Sequence, residues 1–366
     1  MELIIERRKL LPILQIVIGV VERRQPLPIL ANILFSASGD LLRITASDME
    51  VELVSSIKLE SPRKVEITLP ARKLLDICRA LPEDATIRIK TAGDKVQILS
   101  GKSRFSLSTL PSHEYPIIDM QEPAAEFTIT QEALKDLLEK TAFSMAQQDV
   151  RYYLNGLLLE LTLTGIRAVA TDGHRLALRE QKIPMQIKEK LQIIVPRKGV
   201  VELIKHLENK DEEITVQITG NHMRVMFADL VFTSKLIDGK FPDYDRVVPE
   251  IGDAIVLADR ELLKQSLTRA SILSNEKYRG IRILLEKNKL RALAHNPEQE
   301  EAEEEVEIQY DGAEMEIGFN VSYLLDALAI IKTEKVRISV KDPNSSCLLL
   351  PAEDNKCKYV VMPMRL

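Results

Sequence analysis

The chain has 366 residues, 45% of them apolar and 29% charged, a composition typical of soluble globular proteins. The formal net charge of -5 argues against a chain that is basic throughout, as non-specific nucleic-acid binders usually are. At roughly 100–200 residues per domain, the length predicts two or three domains. With 4% aromatic residues and no Trp, their cores should be aliphatic.

The N-terminal segment has the outline of a secretion signal, but its details exclude one. Arg7, Arg8 and Lys9 precede the apolar run LLPILQIVIGVV. Gln15 interrupts that run, charged residues follow it at once, and no small-x-small cleavage site appears. The run is also too short to span a bilayer. We expect a helix with most of its surface buried, and no membrane partner.

The cysteines and histidines do not suggest a metal or cofactor site. Three cysteines are scattered without a CxxC pair, and the histidines lack metal-ligand spacing. Cys347 and Cys357 are placed in a polar C-terminal loop, where a bridge between them is one alternative. Reduced thiols of a cytosolic protein are the other, which this cysteine usage favours.

One pattern of elements occurs three times along the chain. A first helix is expected at Arg8–Val20, Gln131–Ser144 and Arg260–Ile272, each with leucines at helical spacing. A second helix follows a strand end in each third, and its segments start at Leu69, Val195 and Phe319, about 125 residues apart. Strand hairpins lie between the helices. The repeats predict an α+β fold of three modules, residues 1–122, 126–250 and 253–366, with short linkers near Met120–Ala125 and Pro249–Asp253.

The stretch from Arg151 to Leu178 combines an apolar hairpin with a polar turn. Two extended runs meet at Leu163–Gly165, and the second ends at the turn signal Thr171–Gly173. One interpretation is a catalytic pair, in which Asp172 orients the imidazole of His174 as a base. The other is a docking hollow with a polar rim. The chain has no GxSxG elbow, P-loop or HExxH motif, so the docking interpretation is favoured.

Long motifs throughout the chain resemble the bacterial DNA polymerase III beta subunit family, the sliding clamps. They include SGKSRFSLSTLP, FSMAQQDVRYYLNG, VATDGHRLAL, FTSKLIDGKFPDY, NPEQEEAEE and YVVMPMRL. The resemblance implies a non-enzymatic processivity factor, a head-to-tail homodimer closed into a ring around duplex DNA. Its helices would line the bore and its antiparallel sheets the outside. The implied partners are the replicative polymerase catalytic subunit, a clamp loader and other proteins with clamp-binding motifs, in the bacterial cytoplasm at the nucleoid.

Candidate DNA contacts come from helix charge and from the resemblance. Basic residues on the second helices, Arg72, Arg197 and Lys198 among them, would attract phosphates without reading sequence. The resemblance adds Arg24, Gln148, Tyr152 and Tyr153.

Candidate subunit contacts follow the same two lines. The resemblance places Phe105 and Leu107 against Ile272 and Leu273 of the other subunit. The run from Glu298 to Glu307 contains seven glutamates, which alone would indicate a solvated strand or loop. Beside a basic edge it becomes a subunit contact, whose members would be Lys73, Lys95, Lys102, Arg104, Glu298, Glu300, Glu301 and Glu304.

The resemblance also makes the hollow a pocket for partner peptides. Its wall would be Leu154, Thr171, Gly173, His174, Arg175, Leu176, Pro242, Arg246, Val247, Val360, Met362, Pro363, Met364 and Arg365. Leu, Val, Pro and Met form an adaptable cup for Leu or Phe anchors. Two alternatives to a ring stay open: a monomeric DNA-binding scaffold, and a hydrolase that uses Asp172 and His174.

Overall fold

The computed structural model describes residues 2–21, 27–119, 121–183, 187, 189–252 and 254–365. Six α-helices lie in these ranges: α1 Arg7–Val17, α2 Ala71–Ala80, α3 Gln131–Glu139, α4 Arg197–His206, α5 Arg260–Ala270 and α6 Val321–Ile330. Short 3-10 turns continue three of them, at Ile18–Val20, Ala142–Ser144 and Ser271–Leu273. The two helices predicted in each third of the chain are therefore present. Among the described residues, none of the helices combines the length and apolar character needed to cross a bilayer.

The strands occur in three runs that alternate with the helices. Before α3 lie β1 Glu2–Glu6, β2 Asn32–Ser47, β3 Val51–Pro70, β4 Thr86–Ala92, β5 Lys95–Ser100, β6 Ser103–Ser108 and β7 Ala125–Thr130. Between α3 and α5 lie β8 Gly156–Thr162, β9 Gly165–Thr171, β10 Arg175–Gln181, β11 Leu191–Pro196, β12 Glu213–Ile218, β13 His222–Met226, β14 Leu230–Lys235 and β15 Ile255–Asp259. After α5 lie β16 Gly280–Glu286, β17 Lys289–His295, β18 Glu301–Gln309, β19 Met315–Asn320, β20 Lys335–Ser339, β21 Cys347–Pro351 and β22 Cys357–Val361.

The helices are amphipathic and present one apolar face to a sheet. In α2, Leu74, Leu75 and Cys78 are buried while Arg72 and Lys73 are exposed, as a 3.6-residue period requires. The prediction that the first helix is mostly buried is wrong. In α1 only Leu10, Leu14 and Val17 are buried, because the apolar run also supplies a half-exposed second face.

The first of two compact units comprises residues 1–134 and 198–236. It contains a four-stranded sheet in the order β1-β4-β5-β6 and a six-stranded sheet in the order β2-β3-β14-β13-β12-β7. The second sheet joins strands from two predicted modules, since β14 pairs with β3 from Leu230 opposite Ser55 to Ser234 opposite Val51.

The second unit comprises residues 135–197 and 237–366. Its twelve-stranded antiparallel sheet runs β11-β8-β9-β10-β22-β21-β20-β15-β18-β17-β16-β19. Here β10 pairs with β22, again joining strands from two predicted modules. Both units thus include a predicted module boundary, and the proposed division at residues 122–126 and 250–253 stays a prediction.

The cysteines are all free and buried. Cys347 and Cys357 begin two strands, β21 and β22, so the prediction of a polar loop at both positions is wrong. A bridge is also excluded by register, because Cys347 lies opposite Val361 and Cys357 opposite Arg179. Burial raises the pKa of Cys347 to about 12 and of Cys357 to about 11, which keeps both thiols protonated and unreactive.

Candidate functional site

The turn between β9 and β10 is held by the Asp172 carboxylate. Its Oδ1 accepts hydrogen bonds from the backbone N–H groups of His174 at 2.9 Å and Arg175 at 3.0 Å. Thr171 Oγ1 accepts from Gly173 N–H at 3.1 Å and donates to the Arg175 carbonyl at 2.6 Å. The sequence TDG therefore forms an Asx turn, with Gly173 at a φ of +89° that favours glycine.

This geometry contradicts the catalytic interpretation of Asp172 and His174. Both residues lie in the turn and not in a strand, so spacing does not direct them to one side. The Asp172 carboxylate is bonded to backbone amides and to Arg175 Nε at 3.1 Å. The His174 ring stacks on Tyr323 instead, with ring centroids 6.4 Å apart. Asp172 shapes the turn and does not orient the imidazole.

Arg175, predicted in the wall of the hollow, is a packed structural residue. Its Nη1 lies 2.5 Å from Asp326 Oδ2, and its Nη2 donates to the Phe143 carbonyl at 2.9 Å. The guanidinium also lies over the rings of Phe143 and Tyr323, at 5.3 and 4.7 Å. These contacts fix β10 against α6 and the turn after α3. Arg246, by contrast, is exposed, and its one ion-pair partner among the described residues is Asp243, at 2.7 Å.

The apolar floor beside the turn is one cluster of buried side chains. Three predicted pocket residues belong to it: Leu176 and Val360 are buried, and Val247 is half-buried. Leu154, another predicted pocket residue, is buried in the 3-10 turn just before β8. The cluster also contains residues that the prediction missed or assigned elsewhere: Tyr153, Leu158, Val169, Leu178, Ile194, Ile237, Phe241, Tyr244, Val248, Leu348 and Leu350.

Tyr244 anchors the segment that closes this cluster. Its hydroxyl donates to Glu160 Oε1 at 3.0 Å and accepts from Arg167 Nη1 at 2.8 Å. Burial, opposed by the Arg167 hydrogen bond, leaves the pKa of Tyr244 raised. The motif FPDY could have indicated this, since an aromatic pair around a proline often fixes a loop to a core. Pro242 itself is exposed.

The C-terminal segment continues past β22 along two different neighbours. Met362 N–H donates to the His174 carbonyl at 2.9 Å, which ties the tail to the turn. Met364 N–H donates to the Gly318 carbonyl of β19, also at 2.9 Å. Met362, Pro363 and Met364 are half-buried. Met364 and the exposed Arg365 line a separate hollow beside Tyr278, so the predicted wall covers more than one surface feature.

The predicted DNA contacts differ in how free their side chains are. Tyr152 is 57% exposed and Gln148 is exposed, while Tyr153 is half-buried with its ring 5.8 Å from that of Tyr152. Arg72 is exposed but donates to the Val21 carbonyl at 2.7 Å. Arg24 lies outside the described residues.

The two basic residues at the start of α4 also make contacts within the chain. Arg197 Nη1 donates to the Met145 carbonyl at 3.4 Å. Lys198 Nζ lies 2.5 Å from the buried Asp48 carboxylate. Helix charge alone did not distinguish these residues from solvated ones, because each pairs with a group distant in sequence.

The loop that carries Gln148 is rigidly built. Asp149 N–H donates to Asn155 Oδ1, and Asn155 Nδ2 donates back to the Asp149 carbonyl, both at 2.9 Å. Arg151 bonds the Asp149 carboxylate and lowers its pKa to about 2. Arg151 Nη2 also donates to the Asp172 carbonyl at 3.2 Å. The loop therefore supports the Asx turn while Val150 at its tip is 95% exposed.

The predicted subunit contacts lie on or near two strand edges, with Lys73 on α2 and Ile272 and Leu273 in the 3-10 turn after α5. β6 ends the four-stranded sheet, with β5 on one side and, among the described residues, no strand on the other. Lys73, Lys95, Lys102 and Arg104 are exposed, and Phe105 is half-buried. Leu107 is only 8% exposed, so it packs mainly into its own core, and its predicted contact with the other subunit stays a prediction.

The second edge belongs to β18. β17 pairs with it from Glu301 to Glu307, but β15 meets it only at Ile308 and Gln309. The glutamates from Glu301 to Glu307 are thus on a strand with one unpaired edge in the described structure, while Glu298 and Glu300 lie in the turn before it. Glu304 was predicted as a subunit contact, yet it forms a bidentate pair with Arg269 of its own chain, at 2.8 and 2.6 Å.

Other predicted members of this edge are free of such pairs with cations in the described residues. Glu298, Glu300 and Glu301 are exposed, and Glu300 bonds Asn296. Ile272 is 73% exposed and Leu273 half-buried in the 3-10 turn after α5. Within the described ranges, no group of three His, Cys, Asp or Glu side chains is arranged to hold a metal ion.

Comparison with known proteins identifies the family. Models of the N-terminal, central and C-terminal domains of the DNA polymerase III beta subunit match residues 1–119, 128–243 and 245–365. Two beta sliding clamps are 50% and 48% identical over the full length of both chains, from Pseudomonas putida KT2440 and Escherichia coli K12. The chain belongs to the DNA polymerase III beta subunit family.

Solved structures agree with this assignment over the whole chain. The DNA polymerase III subunit beta from Pseudomonas aeruginosa superimposes with a TM-score of 0.98 at 50% identity, with complete coverage of both chains. A sliding clamp from the same organism, bound to griselimycin, gives a TM-score of 0.96 at 50% identity and equal coverage. The predicted α+β fold of three clamp domains is confirmed. So is the prediction of a non-catalytic sliding clamp, a processivity factor in DNA replication.

Proposed function

We propose that two copies of this chain close head to tail into a ring around duplex DNA. The observation that carries this is the pair of unpaired strand edges with opposite charge. β6 presents six residues flanked by Lys102 and containing Arg104, and the free part of β18 presents seven residues rich in glutamate. Antiparallel pairing of two such edges would satisfy their backbone groups, which otherwise invite aggregation. When each subunit joins one of its two unlike surfaces to the other surface of its partner, the two contacts close a ring.

The contact should be apolar at its centre and ionic at its rim. Ile272 is a large apolar side chain that is 73% exposed, and its burial against Phe105 would stabilise the pair by roughly 1–2 kcal/mol. The lysines and glutamates at the rim are exposed, so each should contribute less than about 1 kcal/mol and lose strength with salt. Because Glu304 is occupied by Arg269, Glu298, Glu300 and Glu301 are the better partners for the basic edge.

Contact with DNA in this proposal is weak and independent of sequence. Arg24, Arg72, Gln148, Tyr152 and Tyr153 are the proposed contacts. The neutral and aromatic members suit sliding, because their contacts with sugar and phosphate lack the strength of full ion pairs. Arg197 and Lys198 would contribute charge from positions already fixed by the fold.

The Asx turn and its apolar cluster are the proposed docking site for partner peptides. Its floor would be the buried Leu176 and Val360 with the half-buried Val247 of the same cluster, its side the half-buried Met362, and its rim the exposed Arg246. A rigid turn with an apolar floor favours Leu or Phe anchors, since little entropy is lost on binding. The partners would be the replicative polymerase, a clamp loader that uses ATP to open the ring, and other clamp-binding proteins, in the bacterial cytoplasm.

Retention on circular DNA tests the ring. The protein is placed on nicked circular DNA by a bacterial clamp loader, and the bound fraction is measured before and after one restriction cut. We expect retention at moderate salt on the circle and release after linearisation. Retention after the cut, or loss from the intact circle at moderate salt, would support the alternative of a monomeric DNA-binding scaffold.

A further inference from the structure

A hollow of about 380 Å³ lies at the end of the C-terminal tail, beyond the docking cluster. Its floor is the outer face of β16 and β17, where Arg282 is opposite Leu293 in register and His295 follows two residues later. Tyr278, Met364 and Arg365 also line it. The proposed function does not assign these residues of β16, β17 and the 275–278 loop to any contact.

The walls of this hollow are fixed before any ligand arrives. Asn275 Oδ1 accepts from the N–H groups of Lys277 and Tyr278, both at 3.0 Å, which leaves the Tyr278 ring 57% exposed. On the opposite side, Asn296 Oδ1 accepts from Glu300 N–H at 2.9 Å and closes the β17–β18 hairpin. Two capped turns thus hold the hollow open, so a ligand would meet a preformed surface.

The chemistry of the lining is apolar and cationic. Leu293 and Met364 are half-buried and Tyr278 offers an aromatic face, while the polar groups come from Arg282, His295 and Arg365 and from the two asparagines, Asn275 and Asn296. None of the described lining residues carries a carboxylate. Arg282 has a partial partner in Glu316 at 3.5 Å, but both side chains stay about half exposed. In a chain of net charge -5, such a lining favours an acidic ligand.

The C-terminal tail connects the docking site to the hollow. Met362 is bonded to His174 of the Asx turn, and Met364, two residues on, is bonded to Gly318 beside the floor. A neighbouring hollow of about 550 Å³ shares Arg282, Leu293 and His295 but contains Glu301 and Glu303. The lining therefore changes from cationic in the first hollow to partly acidic in the second, and the glutamates of the second belong to the β18 edge proposed for the other subunit. The cationic end remains for a partner protein.

We propose that this hollow binds an acidic and apolar segment of a partner protein, next to the peptide held in the docking site. The inference rests on the proposed docking function and extends it. An extended segment of about four residues would span the tail from Met362 to Arg365, at about 3.3 Å per residue. A carboxylate would meet Arg282 and Arg365, and a leucine beside it would pack on Tyr278 and Leu293.

Fluorescence anisotropy with labelled synthetic peptides tests the inference on the full-length protein. The core peptide carries Leu and Phe anchors and is extended at either end by Asp-Leu-Glu-Asp or by Asn-Leu-Gln-Asn. We expect the acidic extension, at one end, to bind about three- to fivefold more tightly than the neutral one, as exposed charge pairs do. The Arg282→Gln variant should lose that gain and bind the core peptide normally. Arg63→Gln, at an exposed arginine of the first unit, should keep the gain.

The outcomes separate the inference from the docking proposal. Equal binding of acidic and neutral extensions at both ends would overturn the inference and leave docking intact. An unextended peptide that fails to bind the wild-type protein would overturn both. A change in the sedimentation coefficient of Arg282→Gln would show that the hollow belongs to the subunit contact, and it would also overturn the inference.

Discussion

Gly173 is the residue on which the Asx turn depends most directly. Its φ of +89° disfavours any residue with a Cβ, and an added Cβ would lie 2.9 Å from Arg151 Nη1. We expect Gly173→Ala to destabilise the second unit by about 1 kcal/mol, since the left-handed region costs roughly 1–2 kcal/mol. Peptide affinity should fall as well, because the displaced Arg151 also supports the turn. Urea unfolding and peptide anisotropy measure the two effects.

A matched control exists at Gly220. It is exposed, and a Cβ built there meets no atom within 4 Å. Gly220→Ala should change neither the unfolding midpoint nor peptide binding. If Gly173→Ala behaves like this control, the turn does not require glycine and its role in the site is wrong.

Glu202 on α4 is a buried carboxylate whose charge the fold has to satisfy. Burial acts to raise its pKa, but hydrogen bonds with His206 and Lys205 outweigh it and hold the pKa below the ordinary value of 4.5. A carboxyl with a lowered folded-state pKa stabilises the fold above its unfolded pKa and loses that contribution as pH falls through the folded value. We expect Glu202→Gln to be less stable than wild type at pH 7 and to show a shallower loss of stability below pH 4.5. Circular dichroism during urea unfolding at several pH values measures this.

The control for this prediction is Glu83→Gln, at an exposed residue in the loop after α2. Its stability should follow wild type at every pH. Identical pH profiles for Glu202→Gln and wild type would show that the buried carboxylate carries no linked proton.

At single positions, the sequence indicated which polar residues belong to the site but did not indicate their roles. Asp172 and His174 were visible as a polar pair, but their spacing does not reveal the positive φ at Gly173 that turns the carboxylate toward the backbone. Arg175 was predicted only as a wall residue, and its packing against the rings of Phe143 and Tyr323 was missed because both are distant in sequence. Local spacing cannot supply such contacts.

Among the elements, the repeat predicted from the sequence recurs down to single hydrogen bonds. Asp48 and Asp172 occupy matching places in TASDMEVEL and VATDGHRLAL, and each carboxylate accepts from the backbone amides two and three residues further along the chain. The next residue has positive φ in both, +73° at Met49 and +89° at Gly173. Periodicity therefore predicted the helices and hairpins. It could not predict that β3 pairs with β14, since strand partners across repeats depend on edges and not on local pattern.

Arg179 on β10 shows a difference between the first and second copies of the sequence repeat. Its Nε lies 2.6 Å from Asp136 of α3, and its Nη1 pairs with Asp354, while the side chain is only 11% exposed. In the first copy the matching position is Ser55, which lines an open cavity of about 1060 Å³ within the first unit. In the second unit, Arg179 thus fills a space whose counterpart in the first unit stays open.

We expect Arg179→Met to destabilise the second unit by about 2–3 kcal/mol, because two carboxylates lose their partner in a mostly buried site. Differential scanning calorimetry should show the transition of that unit at lower temperature. The exposed Arg63→Met serves as the control and should leave the transition in place. A double variant that also carries Asp136→Asn should recover part of the loss. No recovery would mean that the ion pair is not the cause.

For the whole molecule, composition and charge limited the class of protein but not its assembly. A net charge of -5 fits a clamp only if basic and acidic regions are separated. In the structure, a basic region lies at β6, with Lys102 and Arg104, and an acidic one on β18. The three domains were predictable because their helices repeat about every 125 residues. Which edges stay unpaired was not, since an edge is defined by the strands that are absent beside it.

The ring proposal makes its sharpest prediction at Ile272 and Leu273. Replacing both with Ala removes the exposed apolar group of the proposed contact, and the remaining rim charges contribute too little to hold two subunits. We expect a monomer at sub-micromolar concentration by analytical ultracentrifugation, with peptide binding unchanged because the docking cluster contains neither residue. The variant should also be lost from circular DNA. Leu262→Ala removes an exposed leucine from α5, outside the proposed contact. It is the matched control and should remain dimeric. A double variant that still sediments as a dimer would place the subunit contact elsewhere.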